Sequence, residues 1–103
     1  MLNIKKTQDG TELNMALEGR LDTTTAPDLE KEVKEGLGGV EKLVFDLKAL
    51  EYISSAGLRV LLSAQKTMNK QGSMVVKNSS EDLMEIFDVT GFSDILNLEQ
   101  GGR

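Results

Sequence analysis

Neither cysteine nor histidine occurs anywhere in the 103 residues. The first absence excludes disulfides, thiolate metal sites and thiol nucleophiles, and the second excludes imidazole ligands and imidazole bases. No metal and no cofactor is therefore expected. Long apolar runs are also missing: nothing approaches the roughly 18 residues that a membrane-spanning helix needs, and residues 1–6 contain no continuous apolar segment of the leader type. The expectation is a cytoplasmic protein with no membrane partner. Positive charge is scarce, with 12 Lys and Arg against 17 Asp and Glu and a net charge of -5. The cations are scattered rather than gathered into a patch, so a nucleic-acid partner would meet repulsion from its phosphates.

What is present fits one soluble domain over residues 1–103, with a hydrophobic fraction of 39% and a charged fraction of 28%. Only residues 99–103 read as a frayed tail. Alternation over residues 2–7 and 11–18 predicts two strands, joined through Gln8-Asp9-Gly10 as an antiparallel hairpin. Thr23-Thr24-Thr25-Ala26-Pro27 offers hydroxyl caps and a first-turn proline. The helix that follows carries Leu29, Val33 and Leu37 at four-residue spacing, and Gly36, Gly38 and Gly39 are expected to stop it. Residues 42–47 read as a short strand buried on both faces, ending at Asp46 and Leu47. Beyond Ser54-Ser55-Ala56-Gly57 a second helix is expected to line one side with Leu58, Leu61, Leu62, Gln65 and Met68 and to end at Gln71-Gly72.

A strand over residues 73–77 should lie parallel to the 42–47 strand, since a helix separates them. Residues 79–82 cap a third helix with Leu83, Ile86 and Phe87 on its inner side, and residues 92–98 suggest a helical turn before a final edge strand. The predicted fold class is α/β, a mixed sheet of four to five strands with helices mainly on one face. Leu17, Val44, Phe45, Leu61 and Val75 are the expected core.

The informative stretch for chemistry is residues 46–59, read as a buried strand, a loop and a helix start, since α/β sheets usually carry function at the strand ends. A hydroxyl at a helix start sits beside unpaired N–H groups, so a phosphate added to Ser55 would be accommodated there. The plain alternative is that Ser54 and Ser55 are helix caps and nothing more. Asp22 reads as a turn or cap residue, and Asp46 as a ligand or a structural acceptor. The glycines 36, 38 and 39 match no phosphate-loop spacing. A phosphoryl-transfer or hydrolase site built from Asp22, Asp46 and the serines lacks a suitable base beside the nucleophile, so no enzyme activity is expected.

Three segments together resemble one family. Tyr52-Ile53-Ser54-Ser55-Ala56-Gly57-Leu58 is similar to the signature loop of STAS domains in anti-sigma factor antagonists, where the phosphorylated serine stands two before the glycine. Gly19-Arg20-Leu21-Asp22 with Thr25-Ala26-Pro27 is similar to the family's second-strand motif, and residues 83–92 to its third-helix segment. The resemblance implies an antagonist whose unphosphorylated form captures a GHKL-type serine/threonine kinase that doubles as anti-sigma factor, freeing sigma. Phosphorylation of Ser55 would dissolve the pair, and a PP2C-type phosphatase is a further implied partner. Ser54 stands where the family often has aspartate and is the fallback acceptor. The implied partner-binding residues are Asp22, Ser54, Ser55, Ala56, Gly57, Leu58 and Arg59. A STAS-type scaffold or sensory-complex subunit outside any sigma pathway is the alternative function.

Overall fold

The computed structural model describes residues 1–99. Strands β1 (Leu2–Asp9) and β2 (Glu12–Leu21) form the hairpin, paired antiparallel from Leu2 opposite Gly19 to Asp9 opposite Glu12. Two residues, Gly10 and Thr11, therefore make the turn. Gly10 takes φ +63°, the positive value that matches a two-residue turn to the twist of its strands. Helix α1 (Ala26–Gly36) leads to β3 (Lys42–Ile53), helix α2 (Ser55–Gln71) to β4 (Ser73–Lys77), and helix α3 (Glu81–Thr90) with the 3-10 turn Phe92–Asp94 to β5 (Leu98–Glu99). The five strands lie in chain order, and every pairing after the hairpin is parallel.

One position in two on each strand faces the helices. Leu13, Met15 and Leu17 of β2, Leu43, Phe45 and Leu47 of β3, and Met74 and Val76 of β4 join Leu29 and Val33 of α1, Leu61, Ala64 and Met68 of α2, and Leu83 and Phe87 of α3 in a single cluster. All three helices thus cover the same face of the sheet. Of the expected core, Leu17, Phe45 and Leu61 belong to this cluster. Val44 and Val75 do not: they are buried, at 5% and 6% exposure, but occupy the alternate positions of β3 and β4 and stand opposite each other on the other face. Period two assigns them there, and burial on both faces concealed it.

Several boundaries differ from expectation for identifiable reasons. Strand β3 does not end at Asp46 or Leu47 but continues to Ile53. Its pairing with β2 steps from Ala16–Asp46 to Glu18–Ala49 and from Gly19–Leu50 to Arg20–Tyr52, each step placing one extra residue on β3. Each is a bulge. Beyond Leu47 the inward residues therefore recur at three-residue spacing, Leu47, Leu50 and Ile53, which is neither strand nor helix periodicity and reads as loop. Gly36 is the last residue of α1 rather than its stop. Glu99, expected in a frayed tail, pairs with Lys77; residues 100–103 of that tail lie outside the described residues. At the far end of α2, Gln71 Nε2 donates to the carbonyls of Leu37 (2.6 Å) and Val40 (2.7 Å), tying that helix to the α1–β3 connection.

Candidate functional site

The bulged second half of β3 carries the chain to the sheet end where β2 also stops. Leu21 and Ile53 are register partners, both buried. A single residue, Ser54, then joins β3 to α2: its N–H donates to Leu21 O at 2.8 Å while its Oγ accepts from Gly57 N at 3.3 Å and its carbonyl from Leu58 N at 2.9 Å. Ser54 is thus the N-cap of α2, held in extended geometry. Ser55 is the first helical residue and is exposed. Among the described residues its hydroxyl takes part in no hydrogen bond. The two adjacent serines, indistinguishable by residue type, are separated by backbone geometry into a committed hydroxyl and a free one.

The neighbouring turn is built on Asp22. Its Oδ1 accepts from Thr24 N (3.0 Å), Thr24 Oγ1 (2.7 Å) and Thr25 N (3.1 Å). The Thr24 hydroxyl is the main reason its carboxyl titrates below the ordinary 3.8, against an opposing contribution from partial desolvation. Thr25, expected as a hydroxyl cap of α1, is the N-cap by position but makes no side-chain cap bond. Its hydroxyl turns inward, donating to Arg20 O (2.8 Å) and accepting from Asp22 N (2.8 Å). The carboxylate of Asp22 meets the N–H groups of Thr24 and Thr25 just ahead of α1, so this aspartate is a turn organiser by its contacts. Its other oxygen lies 3.9 Å from Arg20 Nε, and the Arg20 guanidinium stacks 4.4 Å from the centre of the Tyr52 ring. Arg20 and Tyr52 are register partners across β2 and β3. That stack depends on the second bulge, which no sequence period reveals.

Of the expected binding residues, Asp22, Ser54, Ser55, Ala56 and Arg59 meet the surface at this end of the sheet, whereas Gly57 and Leu58 are buried. Leu58 is 6% exposed. A Cβ placed on Gly57 would lie 2.7 Å from Leu21 Cγ and 2.9 Å from Ile53 Cγ1; the glycine is there so that α2 can sit against the strand ends. Between α1 and α2 a groove of about 220 Å³ opens beside Ser55, lined by Thr23, Ala26, Pro27, Glu30, Ala56, Arg59 and Val60. Of this lining only Ala56 and Arg59 were expected at a binding surface; Thr23, Ala26, Pro27, Glu30 and Val60 join them because the two helix starts pack together.

Asp46 is elsewhere. It points to the sheet face away from the helices, accepts from Asn78 Nδ2 (3.0 Å) and Lys48 N (3.0 Å), and precedes Ile53 by a length of strand equivalent to roughly 20 Å. Asp22, Asp46 and the serines are thus not assembled into one site. Among the described residues no three carboxylates gather as a metal-binding set, and no helix is long and apolar enough to cross a membrane.

Known proteins share this fold. The chain is 34% identical over 99 residues to an anti-sigma-B factor antagonist of Bacillus subtilis, covering 94% of this chain and 90% of the relative. A solved anti-sigma factor antagonist from Mycobacterium paratuberculosis superposes with a TM-score of 0.87 at 22% identity, over 96% of this chain and 86% of that one. The Bacillus cell fate determinant SpoIIAA in its phosphorylated form superposes with a TM-score of 0.74 at 15% identity, over 93% and 90%. The family model of the STAS domain matches residues 3–101. With the mixed five-stranded sheet, the helices on one face and the serine-bearing start of α2, the chain belongs to the STAS domain family.

Proposed function

We propose that this protein is an anti-sigma factor antagonist whose unmodified form binds an anti-sigma factor serine kinase of the GHKL type, releasing the sigma factor, and whose binding ends when Ser55 is phosphorylated. The observation that carries this reading is the division of labour between the two serines: Ser54 Oγ caps α2, while Ser55 Oγ is exposed and uncommitted. The relatives support it by name, since the Bacillus subtilis protein is an antagonist of an anti-sigma factor and the SpoIIAA neighbour exists in a phosphorylated form.

In the kinase reaction Ser55 Oγ accepts the γ-phosphoryl group of ATP, the hydroxyl proton leaves, and ADP is released. A PP2C-type phosphatase reverses the state by hydrolysing the phosphoester with water to serine and inorganic phosphate. The new group brings about -1.5 to -2 charges near neutral pH. It is accommodated at the start of α2 by free N–H groups and the helix dipole, which favours an exposed anion by only about 0.3 to 1 kcal/mol. The domain is therefore expected to keep its fold, and the effect falls on the docking surface formed by Asp22, Ser55, Ala56 and Arg59. Phosphosite mapping by mass spectrometry, after incubation with ATP and the anti-sigma factor kinase of the source organism, tests the reading. Phosphate on Ser55, lost in Ser55→Ala, supports it. Phosphate on Ser54 overturns the assignment and moves the switch to the neighbouring serine, and no phosphate with an active kinase overturns the switch and favours a STAS-type scaffold.

A further inference from the structure

Resting on that reading of Ser55, we propose that Arg59 is the electrostatic anchor for a carboxylate of the anti-sigma factor, and that phosphate on Ser55 acts by capturing Arg59 as well as by repelling the partner. Arg59 follows Ser55 by four residues in α2, and both are exposed. Side chains so spaced lie on one helix face, with their Cβ atoms about 5–6 Å apart.

The other charges nearby are already answered. Arg20 stacks on Tyr52 and faces Asp22, and Glu30 across the groove has Lys34 at 3.9 Å. Among the described residues Arg59 makes no ion pair and no ring contact. It is the uncommitted cation at the rim of a groove whose walls combine aliphatic Ala26, Pro27, Ala56 and Val60 with polar Thr23 and Glu30. The occupant that fits is a partner segment presenting an aliphatic side chain to the walls and an adjacent carboxylate to the guanidinium. Arginine suits this task because its planar fork binds a carboxylate through two parallel hydrogen bonds. A phosphate tethered one turn away offers the same fork a dianion without any cost of association. The modified protein thus loses its anchor and gains a repulsive charge at one place.

The first arm of the test needs no partner. Phosphoserine is incorporated at position 55 by genetic encoding, and the phosphate is titrated by 31P NMR in the parent and in Arg59→Gln. A neighbouring cation favours the dianion, so the second phosphate pKa is expected to be lower in the parent and to rise in Arg59→Gln by about 0.3 unit or more. Arg59→Lys should keep part of the shift. Lys66→Gln, which removes a charge about 10 Å further along the same face, should leave it unchanged. An identical titration in parent and Arg59→Gln overturns the pair.

The second arm is calorimetric titration of the unmodified chain with the anti-sigma factor of the source organism. Arg59→Gln is expected to bind about tenfold more weakly, and equal affinity overturns the anchor. If the parent itself binds no anti-sigma factor, the functional reading falls and the anchor with it, while the phosphate titration still decides the Ser55–Arg59 pair.

Discussion

Gly57→Ala should destabilise the protein even though alanine is the better helix former. Gly57 is the third residue of α2, and the added methyl would sit 2.7 Å from Leu21 Cγ, 2.9 Å from Ile53 Cγ1 and 3.0 Å from Leu21 Cδ2. These are not free ends that can swing aside: Leu21 is 0% and Ile53 3% exposed, and their strands are paired at this point. Overpacking of this kind costs about 1–3 kcal/mol, while replacing glycine by alanine in a helix returns at most about 1 kcal/mol, less in the first turn. The expected net loss is about 1–2 kcal/mol, or roughly 5–15 °C in Tm for a chain of this size. Urea and thermal unfolding measure it directly.

A second background makes the cause testable. In Leu21→Ala two of the three short contacts disappear and the one with Ile53 Cγ1 gains room to relax, so the added methyl should cost clearly less than in the parent, about 1 kcal/mol or below. A Gly57→Ala protein as stable as the parent, or an equal loss in both backgrounds, would refute the packing argument and return Gly57 to the role of a backbone contact for the partner.

The remaining predictions concern the same sheet end. Ser54→Ala removes the cap on Gly57 N and should cost about 1 kcal/mol in urea unfolding, whereas Ser55→Ala, at an exposed position, should stay within about 0.5 kcal/mol of the parent. Thr25→Val leaves Arg20 O and Asp22 N without their partner inside the turn and should cost about 1–3 kcal/mol, more than an exposed helix cap would explain. Asp22 titrates below its ordinary 3.8 in the folded chain. Its charge therefore contributes stability that is fully present above the unfolded value and is lost as pH falls through the lower folded value. Asp22→Asn keeps the acceptor geometry but not the charge, so urea midpoints of parent and variant should differ by a constant amount above about pH 5 and converge below pH 3.8. A gap that widens toward acid would contradict the hydrogen-bonded carboxylate.

Much of this protein can be read from local pattern. The alternation of Leu13, Met15 and Leu17 and the short apolar run at Ser73–Lys77 each produced a strand where the pattern points, while the hairpin turn, expected at Gln8-Asp9-Gly10, falls at Gly10 and Thr11 because Asp9 still pairs with Glu12. The illegible parts are those where two constraints overlap. Bulges in β3 turn an alternating strand into one with inward residues every three positions, which hid residues 48–53 of the strand and the Arg20–Tyr52 stack. Val44 and Val75 are as apolar as their neighbours, so composition could not say that they face away from the helices.

At the candidate site, residue type alone could not rank Ser54 against Ser55, because either serine can cap a helix. The ranking comes from where the backbone turns: the hydrogen bond from Ser54 N to Leu21 O ends the strand one residue before α2 begins. The inward hydroxyl of Thr25 was hidden for a related reason. A threonine before a helix has two ways to bond, and the depth at which the turn is buried, with Thr25 at 8% exposure, selects the inward one.

The central claim is tested most directly by the affinity of the anti-sigma factor of the source organism for this chain with and without phosphate on Ser55, each form checked for an unchanged fold by its NMR spectrum. The account predicts that the unmodified chain binds and that phosphate on Ser55 weakens binding by about 100-fold or more, equivalent to roughly 3 kcal/mol. Equal affinity of the two forms, with the fold intact in both, would contradict it.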